Sequence, residues 1–210
     1  MRVLVLCDDF WHPAATPRQG LDALGHCGFE FDCLENAHDW TAAGMAGYPL
    51  AVIAKSNNVS SSDQAPWVTG EIERAFKEYV CQGNGLLVVH SGLAGYQEAL
   101  SLRALMGGAF TQHPPQCPVI ATPQSGHPLT QGAAAFTLTD EHYFVDLDDP
   151  QADVFLTTTS QHGSQPGGWT RAEGKGRVCA LTPGHNLEVW LHPSFQALLL
   201  NALRWCSAQT

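Results

Sequence analysis

The stretch Gly85-Leu86-Leu87-Val88-Val89-His90-Ser91-Gly92 decides the fold, because five glycine or apolar residues run directly into a polar turn. A short uninterrupted run of this kind is typical of a strand buried on both faces of a parallel sheet. Apolar residues then recur at a spacing that predicts a helix: Tyr96, Leu100, Leu102 and Leu105. We therefore expect His90 on a strand-to-helix turn, at the carboxyl end of a buried strand.

The chain before this stretch alternates in the same way. Five elements are predicted in order: a strand at residues 3–7, a helix at 16–28, strands at 29–34 and 50–54, and a helix at 67–81. Strands alternating with helices predict an α/β fold with a mostly parallel sheet and helices on both faces. In such folds, ligands bind beyond the carboxyl ends of the strands.

The second half of the chain has a different pattern. Its short strand candidates are separated by loops rich in Pro and Gly, and we expect them to extend the sheet or form a small β-layer: residues 119–121, 136–139, 154–158 and 178–181. Gly174-Lys175-Gly176 lacks the spacing of a phosphate-binding loop and is interpreted as a hairpin turn. Residues 195–205 predict a C-terminal helix, and no linker divides the chain, so residues 1–210 are expected to form one domain.

The composition excludes several classes of protein. The 210 residues are 44% hydrophobic and 14% charged, which excludes intrinsic disorder. A formal charge of -10 argues against nucleic acid as a partner. The sequence shows no apolar run long enough to span a membrane and no secretory leader, and its seven cysteines form no C-x-x-C pair, so we expect a cytoplasmic protein with reduced thiols. A homo-oligomer is compatible with this composition.

Three of the ten histidines occur where a side chain can be held for chemistry. His90 follows a buried strand, His113 precedes a proline that keeps it extended, and His185 follows the strand candidate at 178–181. We expect these side chains to converge at one edge of the sheet. Histidine is both the commonest metal ligand and the commonest acid/base side chain near neutral pH.

A carboxylate is predicted at the same edge. Asp140-Glu141-His142-Tyr143 follows the strand candidate at 136–139, and Glu141 there could act as a general base, a metal ligand or a group that orients a histidine. The alternative is a solvated acidic turn. In an extended segment, the side chain of His142 would point away from that of Glu141.

The loop after the first strand, which contains Asp8 and Trp11, also lies at this edge. Its acids could bind sugar hydroxyls and Trp11 could stack on a sugar ring, although a loop anchored by a half-buried Trp is an equal alternative. Ser91 is interpreted first as the N-cap of the helix after His90.

Together these motifs resemble the ThuA-like, or trehalose utilisation, family over residues 3–205. The resemblance lies in their order: Gly85 to His90, Gly107-Gly108-Ala109-Phe110 with His113-Pro114, His127-Pro128-Leu129, Asp140 to Tyr143, Trp169-Thr170-Arg171, Gly174 to Val178, Gly184-His185 and Leu200 to Trp205. The chain departs from the family pattern at Ser91-Gly92, where relatives commonly have two alanines, and at His142, where they have leucine.

The resemblance implies a three-layer, flavodoxin-like fold of the class I glutamine amidotransferase-like type. It implies that the nucleophile-elbow cysteine is replaced, here by His90, so that glutaminase activity is lost. It also implies a role in the use of trehalose and related disaccharides or 3-keto glycosides. The family's motif positions fall on His90, His113, Glu141 and His185.

The first hypothesis is an enzyme that processes a sugar or keto-sugar as a hydrolase, lyase or isomerase, with catalytic residues His90, His113, Glu141 and His185. The same four residues are candidate ligands of a divalent metal such as zinc. Candidate substrate contacts are Asp8, Trp11, Ser91, Tyr143 and Trp169. The alternative is a non-catalytic sugar-binding or regulatory protein on the same scaffold.

Overall fold

A computed structural model describes residues 1–208. Its elements run in the order β1 (Arg2–Cys7), α1 (Ala15–Asp22), β2 (Glu30–Leu34), α2 (Ala42–Met45), β3 (Leu50–Ala54), α3 (Gly70–Cys81), β4 (Gly85–Val89), α4 (Leu100–Met106), β5 (Gly108–Gln112), β6 (Cys117–Pro123), β7 (Phe136–Asp140), β8 (Phe144–Leu147), β9 (Asp153–Ser160), β10 (Gly163–Glu173), β11 (Gly176–Leu181), α5 (Leu187–Leu191) and α6 (Pro193–Ser207).

The main sheet has nine strands in the order β2-β1-β3-β4-β11-β10-β9-β6-β7. The first five are parallel to one another. Their order is that of flavodoxin-like sheets, in which the chain switches direction between the first and third strands and leaves a crevice at their carboxyl ends. The other four strands are antiparallel extensions. The mixed α/β fold of the flavodoxin-like class is therefore confirmed.

Alternating side chains of the parallel strands supply two cores, one on each face of the sheet. On one face, Val5 and Val89 lie in a cluster with Leu21 of α1 and Leu198 of α6. On the other face, Leu6, Ile53 and Val88 lie in a cluster with Phe76 of α3 and Leu102 of α4. Helices therefore cover both faces, and the central strands β1, β3 and β4 are apolar because neither of their sides meets water.

Most predicted elements are present, with shifted ends. The run from Gly85 to Val89 is a fully buried strand, and the Gly174-Lys175-Gly176 turn joins the antiparallel pair β10 and β11. The four short strands predicted in the second half of the chain all extend the main sheet, as β6, β7, β9 and β11, whereas the separate two-stranded sheet consists of β5 and β8, which the sequence did not predict. The long strand β10 is absent from the prediction, because Pro166 and two glycines interrupt its apolar pattern and its register slips at those residues.

The interpretation of Ser91 as a helix N-cap is wrong. The chain makes a single 3₁₀ turn over His90–Leu93, preceded by Val89 without a side-chain cap, and α4 begins only at Leu100. The tight turn is enforced by packing, since the Cα of Gly92 lies so near β3 that an added Cβ would be 2.1 Å from the carbonyl oxygen of Ile53. His90 itself has a φ of 46°, a left-handed conformation that is costly for a residue with a side chain.

Within residues 1–208, none of the helices combines the length and apolar character that crossing a membrane requires.

We predict that Gly92→Ala lowers the free energy of unfolding by about 3 kcal/mol, because the new methyl group can be accommodated only if β3 and the turn separate. Urea unfolding measures this change. The control is Gly70→Ala, where a Cβ meets no atom within 4 Å. There we expect no loss and a gain of up to about 1 kcal/mol. Equal stabilities of the two variants would contradict the close approach.

Candidate functional site

Four side chains converge at the carboxyl edge of the parallel strands: His12, His90, Glu141 and His185. Each offers one ligand atom, and these four atoms lie within 4.8 Å of one another. Glu141 Oε2 lies 3.2 Å from His185 Nδ1, 3.4 Å from His90 Nε2 and 4.0 Å from His12 Nε2. We call these four residues the histidine-glutamate cluster. Three imidazoles around one carboxylate form a donor set for a divalent transition metal.

His90 is fixed by its backbone and by its other ring nitrogen. Its Nδ1 lies 2.7 Å from the carbonyl oxygen of Thr182, so Nδ1 carries the proton and donates it. The lone pair is then on Nε2, the atom that faces Glu141. The ring stacks on Tyr143 with centroids 3.9 Å apart, and Gly184 packs against its Cβ. Burial lowers the pKa of His90, which keeps the imidazole neutral and able to ligate.

His12 belongs to the loop after β1 and is held by a buried carboxylate. Its Nδ1 lies 2.9 Å from Asp9 Oδ1 and 3.1 Å from Asp9 Oδ2. Although burial alone lowers its pKa, the hydrogen bond to Asp9 and the nearby Glu141 carboxylate raise the pKa of His12 to about 9. In the absence of a metal ion, His12 is therefore protonated at neutral pH and carries part of the charge that a cation would supply.

Glu141 and His185 are positioned through Asp140, the last residue of β7. The Asp140 carboxylate accepts the main-chain N–H groups of Gly184, at 2.9 Å, and His185, at 3.0 Å. This buried contact ties the loop after β11 to the end of β7. Although burial alone raises the pKa of Glu141, the three histidines of the cluster lower it well below its usual range, so Glu141 is ionised.

The cluster contains polar atoms without regular partners. His12 Nε2, His90 Nε2 and His185 Nδ1 are buried and make no hydrogen bond of regular geometry. Buried polar atoms are nearly always satisfied by protein, water or an ion. Three such nitrogens directed at the same carboxylate give the cluster an arrangement of donor atoms that could hold a cation.

A cavity of about 480 Å³ opens beside the cluster. It reaches His12, Glu141 and His185 at one end, and its remaining lining is aromatic, amide or small: Trp11, Ser56, Asn57, Asn58, Ala94, Gly95, Phe110, His113 and Tyr143. Its volume is in the range of small-molecule sites. Trp11 is 65% exposed at this cavity, so its ring face is available to a ligand.

The structure brings together three of the four predicted metal ligands, His90, Glu141 and His185, and replaces the fourth. His113 lies outside the histidine-glutamate cluster; its Nε2 is 3.7 Å from Glu141 Oε1, and its side chain is 34% exposed. The place expected for His113 is taken by His12. The sequence contains one signal for His12, a His-Pro pair in the loop after the first buried strand, which matches the pair at His113.

The predicted substrate contacts divide into two groups. Trp11 and Tyr143 line the cavity. Asp8, Ser91 and Trp169 do not, which corrects their placement. Both Asp8 oxygens accept main-chain N–H groups, from Ala14 and Ser61, and Trp169 is buried with its indole N–H donated to the Met106 carbonyl oxygen. His142 points away from Glu141, as its extended segment predicts, and its Nδ1 pairs with Ser160 Oγ at 2.8 Å.

The family described as ThuA, trehalose utilisation, matches residues 2–206. The chain belongs to the ThuA family. This confirms the resemblance drawn from the motif order. A search of curated proteins gives no match.

Solved structures agree with this placement. A ThuA-like protein from Bacteroides uniformis superposes with a TM-score of 0.75 at 19% identity, covering 98% of this chain and 91% of that chain. A ThuA-like protein from Parabacteroides merdae superposes with a TM-score of 0.75 at 15% identity, covering 99% of this chain and 89% of that chain. A cytoplasmic protein from Salmonella typhimurium superposes with a TM-score of 0.72 at 15% identity, covering 100% of both chains. At these identities the similarity establishes the fold that this ThuA protein shares with them.

We predict that Asp140→Ala destabilises this ThuA protein by about 3 kcal/mol, because the main-chain N–H groups of Gly184 and His185 lose their acceptor. Chemical unfolding measures the loss. The control is Asp148→Ala, which removes a partly exposed ion pair with Arg103 and should cost less than about 1 kcal/mol. If Asp140→Ala were as stable as the control variant, the proposed tie between β7 and the loop after β11 would be refuted.

Proposed function

We propose that this protein is a metal-dependent enzyme that acts on a sugar or keto-sugar, and that it has no glutaminase activity. The observation that carries the proposal is the histidine-glutamate cluster at the end of a cavity. A binding protein has little need for four titratable groups at one point, whereas a catalytic metal site requires such a set beside room for a substrate.

The charges around the cluster favour a divalent cation. Asp9, Asp140 and Glu141 place three carboxylates in or beside the cluster, and Asp9 and Asp140 are each at most 2% exposed. Lys55 is a buried cation nearby whose ammonium group donates to the carbonyl oxygens of Val59 and Glu35, and together with protonated His12 it offsets only part of this negative charge. Burying unbalanced carboxylates is costly. A bound divalent ion would balance this charge and polarise a substrate oxygen.

His113 is the proposed proton-transfer residue. Its Nδ1 lies 2.8 Å from the carbonyl oxygen of Pro114, so Nδ1 donates and the lone pair of Nε2 faces Glu141 Oε1 and the cavity. A base in this place can take a proton from a carbon next to a carbonyl group and return it on the neighbouring carbon or to a leaving oxygen. The electron pair of the broken C–H bond passes toward the carbonyl oxygen, which the cation would stabilise.

The cavity and the family description both support a sugar as the substrate. Trp11 offers an exposed ring at the cavity for the apolar face of a sugar, and Tyr143 lies beside the cluster. The family description, trehalose utilisation, supports a disaccharide or its 3-keto form. All seven cysteines are free, which is consistent with the proposed cytoplasmic location. The elbow position at the end of β4 carries His90 in place of a thiol, which supports the proposed loss of glutaminase activity.

We predict about one equivalent of a divalent metal in protein purified without chelator or affinity histidines, and its loss in His90→Ala and His185→Ala. Elemental analysis before and after dialysis against a chelator measures this. His26→Ala is the control, because His26 is exposed and lies outside the cluster. A failure to bind zinc, manganese or any other divalent ion under loading conditions would refute the metal-dependent mechanism.

We predict that His90→Ala and Glu141→Gln abolish turnover of a 3-keto disaccharide while both variants remain folded. Both residues would act on the bound substrate or the cation. The melting temperature should fall further in His90→Ala, because that variant also loses the stack on Tyr143 and the hydrogen bond to Thr182. Chromatography of the sugar products gives the rate. Full turnover in either variant would contradict the assigned roles, and binding of the sugar without turnover by the parent would favour the sugar-binding alternative.

A further inference from the structure

One buried carboxylate at the site transfers no proton and contacts no substrate in the proposed chemistry, yet it has more partners than a loop aspartate needs. Asp9 is 1% exposed. It accepts main-chain N–H groups from Trp11 at 2.8 Å, from His12 at 3.0 Å and from Ser56 at 2.7 Å, in addition to the contact with His12 Nδ1. Its own charge is therefore held in one place by four donors from two loops.

We propose that Asp9 is a positioning residue that fixes the tautomer and the orientation of His12 and joins this ligand to the wall of the substrate cavity. For its effect on metal binding the proposal rests on the proposed function. The hydrogen bond between Asp9 and His12 can be tested whether or not a metal binds.

The contact between Asp9 and His12 fixes which ring nitrogen of His12 carries the proton. A carboxylate accepts hydrogen bonds and cannot donate them, so the contact at 2.9 Å requires the His12 proton on Nδ1. In the neutral ring the lone pair then lies on Nε2, the nitrogen that is buried without a regular partner and faces the cluster. Metal-bound histidines commonly have such a carboxylate behind them, and its removal typically costs about 10-fold to 100-fold in metal affinity.

Asp9 also connects His12 to the wall of the cavity. The N–H groups that Asp9 accepts include those of Trp11 and Ser56, and both residues line the cavity. Ser56 closely follows β3, whereas His12 and Trp11 follow β1, so Asp9 bridges the two strands on either side of the crevice. The ring that stacks on a sugar and the imidazole that ligates the cation are therefore held by the same carboxylate.

The experiment compares zinc affinity, measured by competition with a chromophoric chelator, in the parent and in Asp9→Asn. We expect a loss of about 10-fold to 100-fold, because Asn has one acceptor oxygen and its NH2 group would face either the Ser56 N–H or the N–H groups of Trp11 and His12. The matched control is Asp153→Asn, which breaks a carboxylate contact with His127 outside the cluster and should leave zinc affinity within about 3-fold. Parent-like zinc affinity in Asp9→Asn would overturn the proposal.

A double-mutant cycle separates positioning from general damage to the loop. In the His12→Ala background the carboxylate has no ring to orient, so Asp9→Asn should change zinc affinity by less than about 3-fold. A further loss equal to that in the parent background would show that Asp9 acts through the main chain alone, and the proposal would fail.

Imidazole nitrogen NMR gives a readout that needs neither turnover nor metal. In the parent the His12 Nδ1 proton should give a strongly downfield resonance, which is absent in His12→Ala and is retained in Asp153→Asn. Should Asp9→Asn not fold, the parent spectrum and Asp9→Glu carry the test. If the parent protein shows this resonance but does not bind zinc, the metal centre is refuted and the contact between Asp9 and His12 stands. If His12 of the parent protein does not give the resonance, the positioning role of Asp9 is overturned.

Discussion

The functional site depends on one carboxylate, Glu141, whose side chain is 13% exposed and lies among three imidazoles. Its partners come from chain positions 12, 90 and 185, so no local segment can satisfy it. Each imidazole must present a lone pair or a proton to the same point, and isolated buried charge is costly. The loops that carry these four residues are therefore held in defined positions, whereas surface loops are usually more mobile.

That constraint explains where the backbone is strained and where buried aspartates occur. Asp8 and His90 have φ values of 72° and 46°, and they directly follow β1 and β4. Asp9 lies three residues before His12, and Asp140 lies directly before Glu141. Each accepts a main-chain N–H group from the loop after another strand, Asp9 from Ser56 and Asp140 from His185. Left-handed residues that cost about 1–3 kcal/mol each persist only where the surroundings determine them. Here Asp8 is held by the N–H groups of Ala14 and Ser61, and His90 by the carbonyl oxygen of Thr182 and the ring of Tyr143.

The sequence predicts the features that depend on the alternation of strands with helices and on where each strand ends. The parallel strands, His90 at the end of β4 and the convergence of Glu141 with His185 all follow from apolar runs that stop at polar residues. His12 could not be ranked above His113, because the path of a loop after a strand depends on long-range contacts such as that between Asp9 and Ser56. Ser91 misled the prediction for a related reason, since close packing of Gly92 on β3 replaces a capped helix by a 3₁₀ turn.

The same site gives a physical reason for the antiparallel strands that extend the sheet. The parallel half supplies imidazoles from the ends of β1, β4 and β11, but Glu141 follows β7, which is four places from β11 in the strand order. Asp140 nevertheless bonds the loop after β11, and Asn186 donates to the Thr139 carbonyl oxygen at 3.0 Å. The antiparallel strands must therefore curl back on β11, as the natural twist of sheets allows. The extension then brings to the flavodoxin-like crevice the acid that the parallel strands lack.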